Sequence, residues 1–156
     1  PPTRSARPNQ PRSTASWSST PEGVDFDAGF LVALLSRRDA HHSWAVPQAT
    51  QHAPPWRTCE AVLSEAFHLL SPRGAPKLSE LLRRRAVIAS FDLDNDVESV
   101  LKLLQKYANV PMSLADACLV RMTETFSDPV ILTTDSDFRI YRRHSRQVIP
   151  CVMPSR

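Results

Sequence analysis

The chain has 156 residues, 42% of them hydrophobic and 22% charged, with a formal net charge of +3. That length suits one domain able to bury about two-thirds of its unfolded surface, and no apolar run approaches the roughly 18 residues of a membrane span. Its three glycines, Gly23, Gly29 and Gly74, form no loop that could cradle a nucleotide phosphate, and its three cysteines lack the spacing of a zinc site.

Residues 1–20 are rich in Pro, Ser, Thr and Arg and cannot support a core, so they are predicted to be a disordered tail ahead of a folded domain at 21–156. Three basic residues, Arg4, Arg7 and Arg12, lie there without an acid, which leaves 16 basic against 16 acidic residues for the domain. The net charge therefore does not establish nucleic-acid binding. Local basic runs remain at Arg83-Arg84-Arg85 and from Arg139 to Arg146, and a solvated face explains such runs as well as a phosphate site does.

Residues 24–27, V-D-F-D, alternate and predict a short strand, although Asp25 is out of place on a sheet buried on both faces. A helix is expected over 30–37, then a second from His41 that Pro47 limits, and Ala53-Pro54-Pro55 closes that section. Residues 58–70 predict a helix with an apolar stripe at Val62, Leu63, Ala66, Leu69 and Leu70. Pro76 suits the first turn of a short amphipathic helix carrying Leu78, Leu81 and Leu82. A strand over 86–91 follows. Asn95 and Glu98 have capping-box spacing and would open a helix with Val97, Val100, Leu101 and Leu104 on one face.

Ser113 and Asp116 repeat that spacing before a second helix, marked by Leu114, Ala117, Cys118 and Met122. Ser127-Asp128-Pro129 breaks it, and Val130-Ile131-Leu132 reads as a buried parallel strand. Residues 148–152 are expected to form a last strand, kept at an edge by Pro150. Strands alternating with helices imply an α/β fold with a mostly parallel central sheet flanked by helices. In such sheets ligands bind off the carboxyl ends of the strands. Here Thr133-Thr134-Asp135-Ser136-Asp137 occupies one such end, and Asp116 begins the preceding helix.

Four stretches carry a family resemblance. They are D-A-G-F-L-V-A-L-L from Asp27, T-C-E-A-V-L-S-E-A from Thr58, L-A-D-A over 114–117 and T-T-D-S-D-F over 133–138. Over about residues 24–152 the chain resembles a PIN domain, the nuclease fold of the VapC-type toxins. The resemblance implies a PIN-like three-layer fold and metal-dependent endoribonuclease activity on single-stranded RNA. It implies a cytoplasmic toxin neutralised by an antitoxin protein, with no membrane partner and with a homodimer allowed. A buried-thiol reading of Cys59, Cys118 and Cys151 agrees with a reducing cytosol.

The ligands implied are Asp27, Glu65, Asp116 and Asp135, with Asp137 as a further candidate, for Mg²⁺ or Mn²⁺, hard cations that favour oxygen donors. Arg139 and Arg142 are the implied phosphate contacts. Each acid also has a plain structural reading. Asp27 and Asp116 could be helix caps, Asp135 and Asp137 a turn, and Glu60 rivals Glu65 from another face of its helix. The family usually carries Ser or Thr directly after the first acid, where this chain has Ala28. The alternative implied is a catalytically inactive PIN-like module that binds RNA or protein. A phosphoryl-transfer domain with an aspartyl nucleophile ranks behind both. Among its histidines and serines no catalytic partner spacing or G-x-S-x-G elbow occurs.

Overall fold

A computed structural model describes residues 24–155, so the expectation for 1–20 lies outside the described residues. The helices are α1 Ala28–Leu35, α2 His42–Gln51, α3 Glu60–Leu69, α4 Ala75–Arg83, α5 Leu93–Lys106 and α6 Leu114–Thr123. The strands are β1 Val24–Phe26, β2 Trp56–Thr58, β3 Val87–Ala89, β4 Val130–Leu132, β5 Arg142–Arg143, β6 Gln147–Val148 and β7 Cys151–Val152, with a 3-10 turn at Ser136–Arg139. The central sheet runs β3-β2-β1-β4-β7 and every pairing in it is parallel. A small antiparallel hairpin, β5 with β6, stands apart. This is the α/β arrangement expected, a parallel sheet flanked by helices. Among the described residues no helix is long and apolar enough to cross a membrane.

α6 is the centre of the packing. Seven of its residues, from Ala115 to Thr123, are buried, so it is enclosed on nearly all sides as an interior helix is. Its N-terminus, with Asp116, is thereby drawn toward the sheet. Phe26, Phe30, Leu31, Leu119, Ile131 and Leu132 fill the layers between helices and sheet.

Four sequence expectations are corrected. Residues 56–58 form β2, where the sequence pattern starts a helix at 58. Three residues carry no readable period, and β2 exists because β1 and β3 pair with it on either side. Phe26 and Trp56 then stack with ring centroids 5.0 Å apart. Pro47 lies inside α2 and does not limit it; the helix gives up the one bond Pro cannot donate. α5 starts earlier than the Asn95–Glu98 spacing suggests, because Asp92 is the N-cap and accepts from the Asp94 and Asn95 amides at 3.1 and 3.3 Å. Of the apolar face expected, Val100 is buried and Leu104 packs partly buried against the core, while Val97 and Leu101 are exposed. Finally, 148–152 is split at Pro150. Val148 joins the hairpin, and Cys151–Val152 forms the edge strand beside β4 as expected of a proline-limited strand.

Candidate active site

β1 and β4 are parallel neighbours, with Phe26 opposite Leu132, so the segments that leave them emerge side by side. Asp27 follows β1, and Thr133 to Asp135 follow β4. A cavity of about 140 Å³ opens there, lined by Asp27, Glu65, Asp116, Thr134 and Asp135. It brings together four of the five acids expected, from four separate stretches of chain. A larger cavity of about 700 Å³ also has acids at its wall, Glu60, Asp92 and Asp94. Those three are exposed. Asp92 caps α5, and Glu60 and Asp94 stand in first helical turns, where the macrodipole favours a carboxylate. Glu60 and Glu65, both exposed on α3, thus border different cavities.

Asp27 is buried and is the N-cap of α1. One of its oxygens accepts from the Phe30 amide at 2.6 Å, and the other accepts from the Thr133 hydroxyl. The Thr133 hydroxyl oxygen accepts in turn from the Asp135 amide at 2.8 Å. Thr133 therefore ties the end of β1 to the end of β4. Sequence reasoning gives it no role; the signal available is a Thr two residues before an Asp, the spacing of a local hydroxyl turn. Next to it, Gly29 has no room for a side chain, since a Cβ there would collide with the Thr134 hydroxyl.

The structural readings of the other acids hold as well. Asp116 forms both halves of a capping box with Ser113, at 2.9 and 3.1 Å. Asp135 caps the 3-10 turn through the Asp137 amide at 2.8 Å. Glu65 is exposed on α3 and meets the cavity at its rim. Asp137 is not part of the lining, though its charge is felt at Asp116. Arg139 is exposed over a separate hollow beside Cys151. Arg142 turns back on the chain, where Nη1 donates to the Arg139, Ile140 and Tyr141 carbonyls at 2.7 to 2.8 Å.

Electrostatically the cavity carries uncompensated negative charge. Burial pushes Asp27 up from 3.8 to about 7; the Thr133 and Phe30 hydrogen bonds oppose this, and the charges of Asp135 and Asp116 add to it. Asp116 is raised by burial and then by Asp135 and Asp137. Glu65 is raised by burial and then by Asp116. Among the described residues no three His, Cys, Asp or Glu side chains converge tightly enough to hold a metal ion as they stand.

A family model described as PIN domain matches residues 26–143. Among solved structures, the fold is similar to that of the Mycobacterium tuberculosis toxin VapC20, described as a sarcin-ricin loop cleaving toxin. The TM-score is 0.62 at 21% identity, covering 73% of this chain and 91% of that one. No curated protein matches the sequence.

Proposed function

The chain belongs to the PIN-domain family, and from that premise we propose that it is a metal-dependent endoribonuclease, a toxin held in check by an antitoxin protein. One observation carries the proposal. A buried carboxylate, Asp27, is joined through Thr133 to Asp135 in the same cavity that Asp116 and Glu65 line. The structurally similar toxin is a cleaving toxin, which supports the same class of activity here.

The donor set fits a hard divalent cation, since the cavity offers carboxylates and a threonine hydroxyl with no nitrogen or sulfur ligand. Crowded carboxylates repel one another, and a cation relieves that repulsion. Asp27, Glu65, Asp116 and Asp135 would hold it, and Asp137, outside the lining, would add its negative charge. Bound there, a divalent ion would lower the pKa of water and neutralise charge on a phosphodiester. The protein's own share is positional. Thr133 holds Asp27 and Asp135 in register, the capping box fixes Asp116, and Glu65 closes the rim from α3. Arg139 would meet the phosphate backbone, while Arg142 steadies the loop that presents it.

Metal and pH should act on stability in opposite senses. The folded state disfavours the charged form of Asp27, so between its unfolded value of 3.8 and its folded value of about 7 the native state binds more protons. This group's contribution is therefore lost as pH rises through that window. In EDTA the protein should melt higher at about pH 5.5 than at about pH 7.5. Millimolar Mn²⁺ should raise the melting temperature, and more so at the higher pH, because the ion competes with the proton. Asp27→Asn should flatten both trends. Melts that ignore Mn²⁺ at every pH, at matched ionic strength, would remove the metal from the proposal.

A second reading has one observation in its favour. Both oxygens of Asp27 already accept hydrogen bonds, from Phe30 and Thr133, which favours the catalytically inactive PIN-like module that binds RNA or protein. Incubation of labelled single-stranded RNA with Mn²⁺ separates the two. Cleavage that EDTA stops supports the nuclease; binding without cleavage supports the module.

A further inference from the structure

We infer that the cleft between the ends of α1 and α3 is a docking site for RNA phosphates, engaging the strand beyond the stretch cleaved at the carboxylate cavity. The inference rests on the nuclease reading for the identity of the strand. The cleft measures about 510 Å³ and is walled by Arg37, Arg38, Arg73 and Lys77 with Ser36 and Ser71. No acid lines it among the described residues. With basic and acidic residues balanced over the domain, four cations in one hollow without a carboxylate are a local excess that net charge conceals.

These cations are available. The ion pairs among the described residues use Arg57, Arg83, Arg84 and Arg121, and none of the four. The arginine run that stands out in the sequence is the one answered internally, since Arg83 and Arg84 both face Glu80. Arg37, Arg38, Arg73 and Lys77 are all exposed. Lys77 donates to the Leu35 carbonyl at 3.2 Å, which holds its ammonium across the cleft with protons to spare.

Side chains make this site, and the backbone does not. The Gly74 and Ala75 amides at the start of α4 both donate to the Ser71 carbonyl, at 2.8 and 3.2 Å, and Pro76 has no N–H. α1 and α3 end at the cleft, so each brings about half a negative charge. Four full positive charges outweigh those two poles and leave a field that attracts an anion.

The location argues for RNA over an acidic peptide. α1 carries Asp27 at one end and Ser36 at the other, about 13 Å apart. α3 contributes Glu65 and Leu69 to the carboxylate cavity, and Ser71 follows directly after that helix. Both hollows thus draw on α1 and α3 or the segments that leave them, a separation of one short helix that an extended strand of a few nucleotides would span. The carboxylate cavity repels phosphates when no cation is bound, so a polyanion needs a separate basic foothold. The forked guanidiniums suit phosphate oxygens.

The test uses the full chain in EDTA, with a labelled single-stranded RNA oligonucleotide read by anisotropy across a salt series. Two variants of equal charge change are compared, Arg37→Ala/Arg38→Ala/Arg73→Ala/Lys77→Ala and Arg83→Ala/Arg84→Ala/Arg85→Ala/Arg146→Ala. The cleft variant should bind on the order of tenfold more weakly near 0.1 M salt, with a salt slope flatter by about 0.7 for each phosphate no longer neutralised. The other variant should stay near the parent. Equal weakening in both overturns the inference, because it shows diffuse charge only. So does a poly-glutamate peptide that binds the parent, fails on the cleft variant and leaves RNA binding untouched. Should the fourfold variant not fold, Arg37→Ala/Arg38→Ala just beyond α1 is read by the same criteria. Cleavage in Mn²⁺ separates the two proposals. RNA bound through the cleft but never cut keeps the cleft and ends the nuclease reading. Cutting with an unchanged KM in the cleft variant does the reverse.

Discussion

Asp116→Asn should abolish cleavage and leave the metal-free protein at least as stable as the parent. The two effects come from separate properties of the side chain. As a capping residue, Asp116 accepts from the Ser113 amide, and its own amide donates to the Ser113 hydroxyl. Asparagine keeps an acceptor oxygen and the same backbone amide, so the cap survives and the loss stays well below the ~1 kcal/mol of a missing cap. As a charge, Asp116 is repelled by Asp135 and Asp137 and in turn repels Glu65. Removing it relieves that repulsion when no cation is present. Loss of a partner behind a metal ligand costs about 10–100-fold in affinity or activity, so loss of a ligand should cost at least on the order of a hundredfold. Paired melts and cleavage assays read both. The mutant should also lose most of its Mn²⁺-induced shift, and Glu60→Gln, on the exposed start of α3, should be silent in all three. A destabilised but fully active Asp116→Asn protein would reduce Asp116 to a cap and take the nuclease proposal with it.

Such a pairing of stability and activity is characteristic of sites where function is placed against packing, and it bears on what can be read from a sequence. The elements around Asp116 are legible because their signals are local. A capping box, a helical apolar spacing and a Val-Ile-Leu run need only neighbours along the chain, and α6 and β4 lie where those signals put them. β2 is not legible, because Trp56–Thr58 becomes a strand only between β1 and β3, which no window of sequence contains. Without β2, the partner of Asp25 stays hidden. Thr133 escapes notice for a related reason. Its hydroxyl matters only once β1 and β4 lie side by side and bring it to Asp27. The cations of the α1–α3 cleft come from separate stretches of chain, while the visible arginine run is neutralised by Glu80 on its own helix. Contiguity in sequence draws the eye to a run that is answered on its own helix, because side chains close in sequence on one helix also share its counter-ions.

Arg57→Met should destabilise the protein by an amount that grows with pH, from about 1 kcal/mol near pH 5 to several kcal/mol near pH 8. Asp25 on β1 is fully buried, and its Oδ1 lies 2.6 Å from Arg57 Nη2 on β2. Its Oδ2 and the Arg57 Nε have no hydrogen-bond partner among the described residues. The guanidinium carbon sits 3.4 Å from the Phe126 ring centroid, so Arg57 is held between a carboxylate and an aromatic face. Burial raises Asp25 to about 7 even though Arg57 pulls it down. Without Arg57 that restraint is gone and the folded value rises further, while the unfolded value stays near 3.8. The native state then binds the extra proton over a wider range, and stability falls as pH rises through it. Near pH 5 the orphaned carboxyl is simply protonated, and the loss is chiefly that of one hydrogen bond, about 1 kcal/mol. Near pH 8 it must either ionise in the interior or hold its proton against the solvent, and the loss should approach the roughly 3–5 kcal/mol of a broken buried pair. Asp25→Val/Arg57→Met removes both charges and suits the pleat of a central strand. That double variant should recover most of the loss and show a flatter pH dependence, since apolar replacement of a buried pair is often neutral or stabilising. Urea melts of the parent, single and double variants at the two pH values supply the comparison. A single variant equally destabilised at both, or a double variant no better than the single, would mean that the pair acts through packing on Phe126 and not through its buried charge.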